Sequence, residues 1–342
     1  MNPINLGNKR ELFWDNFLVN TSRTSACLKQ HPPHIQDIVM ECGEPWEGDG
    51  CDYYSILKDG DVYRMYYLAW QMLNEDYTAH TTDRIKICYA ESKDGIHWEK
   101  PNLNIVKYRG SGDNNIIFDE NLFRIDNFYA FLDTNPNCDP NERIKATVYD
   151  SNLRELWCFY SEDGIHYTRG WPITNKGKFD TQNVAIWYEK QKLYYCYIRD
   201  FHDYEGEDLN EGIRDIRYIT SPDFKTWSDP VLIGFGDSED IPLYTNAVTK
   251  YDRAPQMLIG FPTRYVERKN WNENFDQLAG AEPRHKRSGI HPRYGLTTTD
   301  CVLMTSRDGK SWNRFDEAWM TPGIERAHNL GVWRLLPCTC ID

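Results

Sequence analysis

Short apolar runs recur along the chain, and a polar turn of one type follows four of them. The apolar runs lie at residues 85–90, 156–160, 216–220 and 301–305, and the turns lie at residues 92–98, 161–167, 221–227 and 306–312. Each turn reads Ser-x-Asp-(Gly)-x-x-aromatic. The aspartate accepts hydrogen bonds from the turn amides, and the glycine tolerates a positive φ. The pattern therefore predicts four hairpin turns whose aspartates have a structural role.

The spacing of these turns predicts how the strands assemble. The turns begin at Ser92, Ser161, Ser221 and Ser306, and further strand-like runs precede each of them. Residues 53–57 and 62–67, for example, flank the hairpin signal Lys-Asp-Gly-Asp at 58–61. Repetition at this interval is typical of four-stranded sheets arranged radially, which is a β-propeller. No long segment has a period of 3.6 residues, so we expect an all-β fold with little helix.

The end of the chain is short for another repeat. The sequence ends at Asp342, so less than half of one repeat interval follows Trp312. We therefore expect the last blade to be incomplete. The predicted organisation is an N-terminal segment, residues 1–46, that closes the last blade, four blades in residues 47–326, and a truncated or irregular tail in residues 327–342.

Composition narrows the possible partners. The chain has 39 Lys and Arg against 52 Asp and Glu, a net charge of −13, which argues against nucleic acid as a partner. No apolar run is long enough to span a membrane, and no secretory signal is visible. The ten cysteines are scattered without a CxxC motif. We expect a cytoplasmic protein with reduced cysteines, no metal and no cofactor; the oligomeric state stays open.

Four strings are more specific than the turns. They are ELFWD at residues 11–15, FLDTNP at 131–136, FDTQNVA at 179–185 and GFPTRY at 260–265. With the turns, they resemble the five-bladed β-propeller glycoside hydrolases of the fructofuranosidase and arabinofuranosidase/xylosidase clan, and within it a bacterial group described as glycosyl hydrolase family 32-like. The resemblance extends from about residue 10 to residue 326. It implies a five-bladed propeller and hydrolysis of a glycosidic bond. The Asn-Asp-Pro and Arg-Asp-Pro strings of fructan-cleaving members are absent.

The resemblance also implies catalytic carboxylates. The clan places one near the start of the innermost strand in each of the first three blades. Asp52 and Asp180 directly precede such strands, and Asp133 lies at the end of one. We therefore expect Asp180, Asp133 and Asp52 to be catalytic, with Asp180 the strongest candidate and the general acid unassigned. Glycoside hydrolysis needs two carboxyl groups whose separation sets the stereochemical outcome.

Amides and aromatic rings complete the predicted site. The expected substrate-binding residues are Gln182, Asn183, Asn246, Asn135, Arg264 and Tyr265. The amides would bond sugar hydroxyls and the tyrosine ring would stack on a sugar. Basic residues cluster at 264–293, either in a solvated loop or in a lid over the channel. The expected partner is an oligosaccharide or glycoside. The alternative is a non-catalytic propeller that binds a glycan or a protein.

Overall fold

The structure is a computed structural model. It describes residues 4–34, 36–48, 50–71, 73, 74, 76, 78–81, 85–119, 125–203, 212–266, 268, 270–277, 281–290 and 296–321. Strands make up 43% of the described residues and helices 7%. The described strands form four antiparallel sheets in chain order, which confirms the predicted all-β propeller fold.

The first sheet shows the plan of the others. It contains β1 (Gly50–Asp59), β2 (Val62–Trp70), β3 (Lys86–Ser92), β4 (Trp98–Glu99) and β5 (Ile116–Asp119). The order is β1-β2-β3, and both β4 and β5 pair with β3. The two short strands together act as one outer strand. The innermost strand, β1, lines the centre of the molecule.

The second and third sheets each have four strands in chain order. Sheet 2 contains β6 (Ile125–Leu132), β7 (Ile144–Asp150), β8 (Glu155–Ser161) and β9 (Thr168–Thr174). Sheet 3 contains β10 (Val184–Tyr188), β11 (Leu193–His202), β12 (Ile213–Ser221) and β13 (Val231–Leu232). The innermost strands are β6 and β10.

The fourth sheet carries the helical excursion. It contains β14 (Thr249–Lys250), β15 (Leu258–Gly260), β16 (Thr263–Val266), β17 (Thr298–Ser306) and β18 (Trp312–Met320). β15 and β16 both pair with β17, and Pro262, which has no amide hydrogen, separates them. Two helices, α1 (Glu273–Asp276) and α2 (Ala281–Ile290), lie between β16 and β17. No helix among the described residues is long and apolar enough to cross a membrane.

The four repeated turns occupy one equivalent place, directly after β3, β8, β12 and β17; β17 is the third position of sheet 4 when β15 and β16, which both pair with it, are counted as one. In the first, the Asp94 carboxylate accepts from the amides of Ile96 and His97 at 2.9 and 2.8 Å. The same two bonds, at 2.8–2.9 Å, recur in the other three turns. In the third, Phe224 replaces glycine and still adopts a φ of 62°. Its fully buried ring packs in the core, which compensates for the left-handed backbone.

The core consists of three layers between neighbouring sheets. Leu68 and Phe128 represent the layer between sheets 1 and 2. Phe131 and Cys196 represent the next layer, and Tyr197 with Trp312 represents the layer between sheets 3 and 4. The outer faces of sheets 1 and 4 have apolar clusters of their own. No further sheet covers these two faces in the described residues.

The N-terminal segment connects these two faces. Its described residues up to 46 contain one 3-10 turn, Thr21–Arg23, and no strand. Asp15 accepts from Arg307 of the fourth repeated turn at 2.6 Å. Farther along, Trp46 donates to Asn115 of sheet 1 at 2.7 Å. The segment therefore passes from sheet 4 to sheet 1.

The predicted count of five blades is not confirmed, because the described residues form four sheets. The segment that we expected to add strands to a fifth blade lies on the sheets as irregular chain. It bonds mostly through side chains, and its backbone joins no ladder. The predicted tail, residues 327–342, lies outside the described residues.

Candidate functional site

The four innermost strands begin at one end of the molecule, which we call the entry end. The Gln182 amide donates to the carbonyls of Tyr53 and Phe128, the latter at 3.2 Å. The Asn246 amide donates to the Gln182 carbonyl at 3.4 Å. One level of the molecule thus contains residues from all four sheets. Side chains that precede this level, at the starts of β1 and β6 and in the segment before β10, share the entry end.

Asp52 lies at the entry end beside a break in strand pairing. It is 5% exposed and accepts from the Trp70 indole at 3.4 Å. The register between β1 and β2 shifts directly after Asp52, and Tyr53 has a φ of 54°. This is a β-bulge, which redirects side chains locally. Gly50 permits the arrangement, because a Cβ there would lie 2.6 Å from the indole nitrogen of Trp70.

Asp126 occupies the matching position in sheet 2. The register between β6 and β7 shifts directly after it, and the next residue, Asn127, has a φ of 71°. The Asn127 amide donates to the Asp126 carboxylate at 2.9 Å. Asp126 also acts electrostatically on Arg199, as does Asp180. The second blade therefore contributes Asp126 to the entry end.

Asp180 presents a carboxylate to solvent. Its side chain is 53% exposed, and its Oδ2 lies 3.4 Å from Arg199 Nη1. Tyr244 donates its hydroxyl to the same oxygen at 3.2 Å. Arg199 itself is nearly buried and donates its Nε to the Lys178 carbonyl at 2.8 Å. A buried cation and a neutral donor thus hold one oxygen of the Asp180 carboxylate. Its other oxygen makes no hydrogen bond to the described residues.

Three tyrosines form the wall beside this carboxylate. Tyr244 stacks on Tyr265 with ring centroids 5.4 Å apart, and Tyr53 packs against both. The Tyr53 hydroxyl lies 3.5 Å from that of Tyr244. Burial raises the pKa of Tyr53, and Tyr244, Asp180 and Asp52 raise it further. The phenol therefore stays neutral. Tyr53 follows Asp52 in β1, and its hydroxyl contacts that of Tyr244, which donates to Asp180, so a chain of contacts connects the two carboxylates.

Three of the predicted amide ligands, Gln182, Asn183 and Asn246, have buried side chains. Asn183 and Asn246 are 2% and 1% exposed. Asn183 donates to the carbonyls of Phe179 and Thr181, and Asn246 donates to two carbonyls in the same way. Gln182 also uses both amide hydrogens on backbone carbonyls. These three side chains order the backbone and have no amide hydrogen left for a sugar hydroxyl.

Asp133 lies at the opposite end of the inner strands. Ala130 donates its amide to Ser55 Oγ at 3.3 Å, so these residues share a level. Asp133 is three residues beyond this level and Asp52 is three before it, a separation of roughly 20 Å along the strands. The expectation that Asp133 joins Asp52 and Asp180 is therefore corrected. The physical reason is that Asp133 follows β6, whereas Asp52 lies near the start of β1 and Asp180 precedes β10.

The surroundings of Asp133 are those of a structural ion pair. Its fully buried carboxylate lies 2.7 Å from Lys145 Nζ and accepts from Tyr194 at 2.8 Å. Predicted ligand Asn135 donates its side-chain amide to the same Tyr194 hydroxyl at 2.8 Å. Asn135 and Lys145 line a cavity of about 640 Å³ between sheets 2 and 3, at this opposite end. Asn135 is therefore also remote from the entry end.

Arg264 and the basic excursion are committed to local contacts. Arg264 forms a two-pronged ion pair with Asp300, with one bond of 2.8 Å, and donates to the Asp316 carbonyl at 3.0 Å. In the excursion, His285 contacts Asp276 and Lys286 contacts Glu282. Tyr265, the neighbour of Arg264 in the sequence, is the member of this group that lies in the tyrosine wall. Residues 291–295 of the excursion lie outside the described part of the chain.

A histidine lies farther along β11. His202 Nδ1 is 3.0 Å from Asp215 and its Nε2 is 2.7 Å from Asp240. Burial lowers the pKa of His202, but the bonds to Asp240 and Asp215 outweigh burial and raise it. His202, Asp203 and Asp240 form one of two groups in the described residues with metal-ligating atoms close together. Carboxylates already occupy both of its ring nitrogens.

Sequence reasoning missed Asp126 and Arg199. Asp126 precedes the apolar run of β6 as Asp52 precedes that of β1, which is a usable signal. Arg199 interrupts an otherwise apolar strand, and a buried cation in such a place indicates a nearby carboxylate.

Comparisons with known proteins show that the fold of this chain resembles those of several solved structures. No family model and no curated protein matches the chain. Among solved structures, an N-acetylgalactosamine deacetylase from F. plautii is 14% identical, with coverage of 86% of this chain and 76% of that one and a TM-score of 0.49. A thermostable family-43 glycoside hydrolase is 13% identical, with coverage of 81% and 76% and a TM-score of 0.48. A glycosyl hydrolase from Bacteroides ovatus is 13% identical, with coverage of 80% and 73% and a TM-score of 0.45.

Proposed function

We propose that this protein is a carbohydrate-active propeller that hydrolyses a glycosidic bond at the entry end. One observation carries the proposal. Asp52, Asp126 and Asp180 come from three sheets to one end of the inner strands, beside a wall of tyrosine rings. Paired carboxyl groups flanking a bound sugar are the chemical requirement of glycoside hydrolysis. Of these rings, Tyr53 is partly exposed and suits the apolar face of a sugar ring, whereas Tyr244 and Tyr265 are buried behind it.

Different surroundings give the carboxyl groups different roles. Asp180 is half exposed, and Arg199 compensates the charge of its carboxylate. We assign it the role of nucleophile or of base toward water, through its solvent-facing oxygen. Asp52 lies against the Trp70 indole with little exposure and is the partner carboxyl. Asp126 contributes negative charge that favours an oxocarbenium-like transition state.

The substrate is an oligosaccharide or glycoside. Tyr53 provides a partly exposed aromatic ring at the site, and the buried rings of Tyr244 and Tyr265 support it. Membership of the clan suggested by the sequence strings, and a five-bladed ring whose last blade is incomplete, belong to the same proposal. The cellular location in the cytoplasm stays a prediction.

An activity screen tests the proposal. Purified protein is incubated with nitrophenyl glycosides and with plant and host oligosaccharides, and released sugar is measured. We expect turnover of at least one glycoside, and a loss of that turnover in both Asp52→Asn and Asp180→Asn. Proton NMR of the first-formed anomer then decides between retention and inversion. Tight saccharide binding by calorimetry without any hydrolysis would contradict the proposal and favour the binding propeller.

A further inference from the structure

A pair of cysteines joins the N-terminal segment to sheet 1. Cys42 belongs to irregular chain, and Cys51 is the second residue of β1. The Sγ atoms of both and a carboxylate oxygen of Glu47 all lie within 4.8 Å of one another. Both cysteines are partly exposed, so a small oxidant in solution reaches them. Because Cys42 lies on irregular backbone, the two sulfur atoms can approach to bonding distance without breaking a strand pair.

The surroundings make the two thiols unequal. A hydrogen bond from Cys51 lowers the pKa of the Cys42 thiol, and the Tyr54 hydroxyl, 3.5 Å away, lowers it too. The same contact with Cys42, together with burial, raises the pKa of Cys51. Lys100 adds positive charge near Cys42. Cys42 is therefore the better nucleophile of the pair, since the thiolate is the reactive form.

Glu47 argues against a metal at this cluster. Its side chain is fully buried, and its carboxylate lies 2.7 Å from Lys100 Nζ. It also accepts from the Tyr67 hydroxyl at 2.6 Å and from the Glu44 amide at 2.9 Å. A cation at this carboxylate would have to displace the Lys100 ammonium and break these bonds. The cluster thus offers two thiols, and its carboxylate is already bonded to Lys100, Tyr67 and Glu44.

We propose that Cys42 and Cys51 form a disulfide when the protein meets an oxidised low-molecular-weight thiol such as glutathione disulfide. The Cys42 thiolate attacks one sulfur of glutathione disulfide and releases one glutathione. The Cys51 thiol then loses its proton and attacks the Cys42 sulfur, which releases the second glutathione. The protein loses two electrons and two protons, and glutathione disulfide gains them.

The bond would fasten the N-terminal segment to the outer face of sheet 1, which no other sheet of the described residues covers. The segment covers the outer face of sheet 1 through Met40, Cys42 and Trp46. A disulfide would close a short loop between residues 42 and 51, and so stabilise the native state by restricting the unfolded chain. It would also anchor the residue that directly precedes Asp52. The inference is independent of the proposed hydrolysis, because its readouts need no substrate.

Mass spectrometry of the full chain tests the pairing. The protein is equilibrated with glutathione and glutathione disulfide at several ratios, quenched in acid and alkylated with N-ethylmaleimide under denaturing conditions. We expect two fewer alkylated thiols on oxidation and a cross-linked peptide pair that contains Cys42 and Cys51. The melting temperature of the oxidised form should exceed that of the reduced form by about 5 °C.

Single variants make the assignment specific. Cys42→Ser and Cys51→Ser should each lose the cross-link and the oxidation-dependent rise in melting temperature. Cys27→Ser, at an exposed position of the same segment, should keep both. Melting under reducing conditions shows that each variant is folded, and Cys42→Ala replaces any that is not. Full alkylation of both thiols at the highest glutathione disulfide ratio would overturn the proposal. So would one equivalent of bound zinc in the purified protein that Cys42→Ser lacks.

Discussion

Asp180 and Asp133 lie at opposite ends of the inner strands and show what position does to the same side chain. Asp180 precedes β10, is 53% exposed and lies 3.4 Å from Arg199. Asp133 follows β6, is fully buried and lies 2.7 Å from Lys145. Both have a cation and a tyrosine hydroxyl as partners. One carboxylate is open to a ligand and the other is not.

The difference in exposure distinguishes a carboxylate that can react with a substrate from one that stabilises the fold. A carboxylate that reacts with a substrate must present a free oxygen in a cavity that admits the substrate. A carboxylate that neutralises a buried cation cannot leave it without exposing the cation to an apolar core. Burial by itself lowers the pKa of Lys145, but Asp133 outweighs it and raises that pKa. The Asp133–Lys145 pair is therefore a structural element.

The largest expected effect is on turnover at the entry end. Asp180→Asn removes the charge and keeps the shape, so we expect kcat to fall by about 10³-fold or more. The melting temperature should stay within about 2 °C of wild type, because the side chain is half exposed. Steady-state kinetics on the glycoside found in the screen and a thermal melt measure the two quantities. A kcat within tenfold of wild type would remove Asp180 from the reaction.

The matched change at the other end should do the reverse. Asp133→Asn leaves the buried Lys145 ammonium with only the more exposed Glu142 carboxylate, 3.6 Å away, as its counter-charge. We therefore expect the free energy of unfolding to fall by about 3 kcal/mol. The kcat of the folded fraction should be unchanged. Urea denaturation with activity measured on the same samples tests both. If the Asp133→Asn protein were stable but inactive, Asp133 would have to be counted among the catalytic residues.

Replacing the whole pair sharpens the comparison. Asp133→Leu with Lys145→Met removes both buried charges, and we expect it to recover at least half of the stability that Asp133→Asn loses. Recovery of stability should be incomplete, because the Tyr194 hydroxyl and the backbone amide of Asn135 both donate to the Asp133 carboxylate and lose this acceptor. A double-mutant cycle in urea measures the recovery. A double variant no more stable than Asp133→Asn would mean that the ion pair is not the source of the loss.

The smallest effect is a difference in pH response between His202 in β11 and Asp59 at the end of β1. The folded pKa of His202 is raised, so its stabilising contribution is complete below pH ~6.5 and is lost as pH rises through the folded pKa. The folded pKa of Asp59 is lowered, first by its bond to Arg143, so its contribution is present above pH ~3.9 and is lost as pH falls through the folded pKa.

Melting curves of two variants against pH test this difference. The loss of melting temperature in His202→Gln should be greatest at pH 5–6 and should shrink toward pH 8. The loss in Asp59→Asn should be constant from pH 5 to pH 8 and should shrink below pH 4. A His202→Gln loss that does not change between pH 5 and pH 8 would contradict the assigned direction for His202.

The strands and turns could be predicted from the sequence, because their causes are local. Alternating apolar residues predict strands, and the Ser-x-Asp pattern predicts turns such as residues 92–98. The turn needs only hydrogen bonds between near neighbours in the chain, as at Asp94. The resemblance of short strings to a known clan directed attention to Asp52 and Asp180, which share the entry end. A chain of repeated hairpins also predicts the all-β propeller.

Tertiary structure decided which polar residues are available for chemistry. Asn183 and Asn246 occupy matching places in the sequence, yet backbone carbonyls of neighbouring segments use up their amides. Asp126 lies at the entry end and Asp133 does not. Strand ends and bulges determine the end that a side chain faces, and they depend on the register of distant strands. Composition and spacing do not encode this register, since it arises only when the sheets pack against one another.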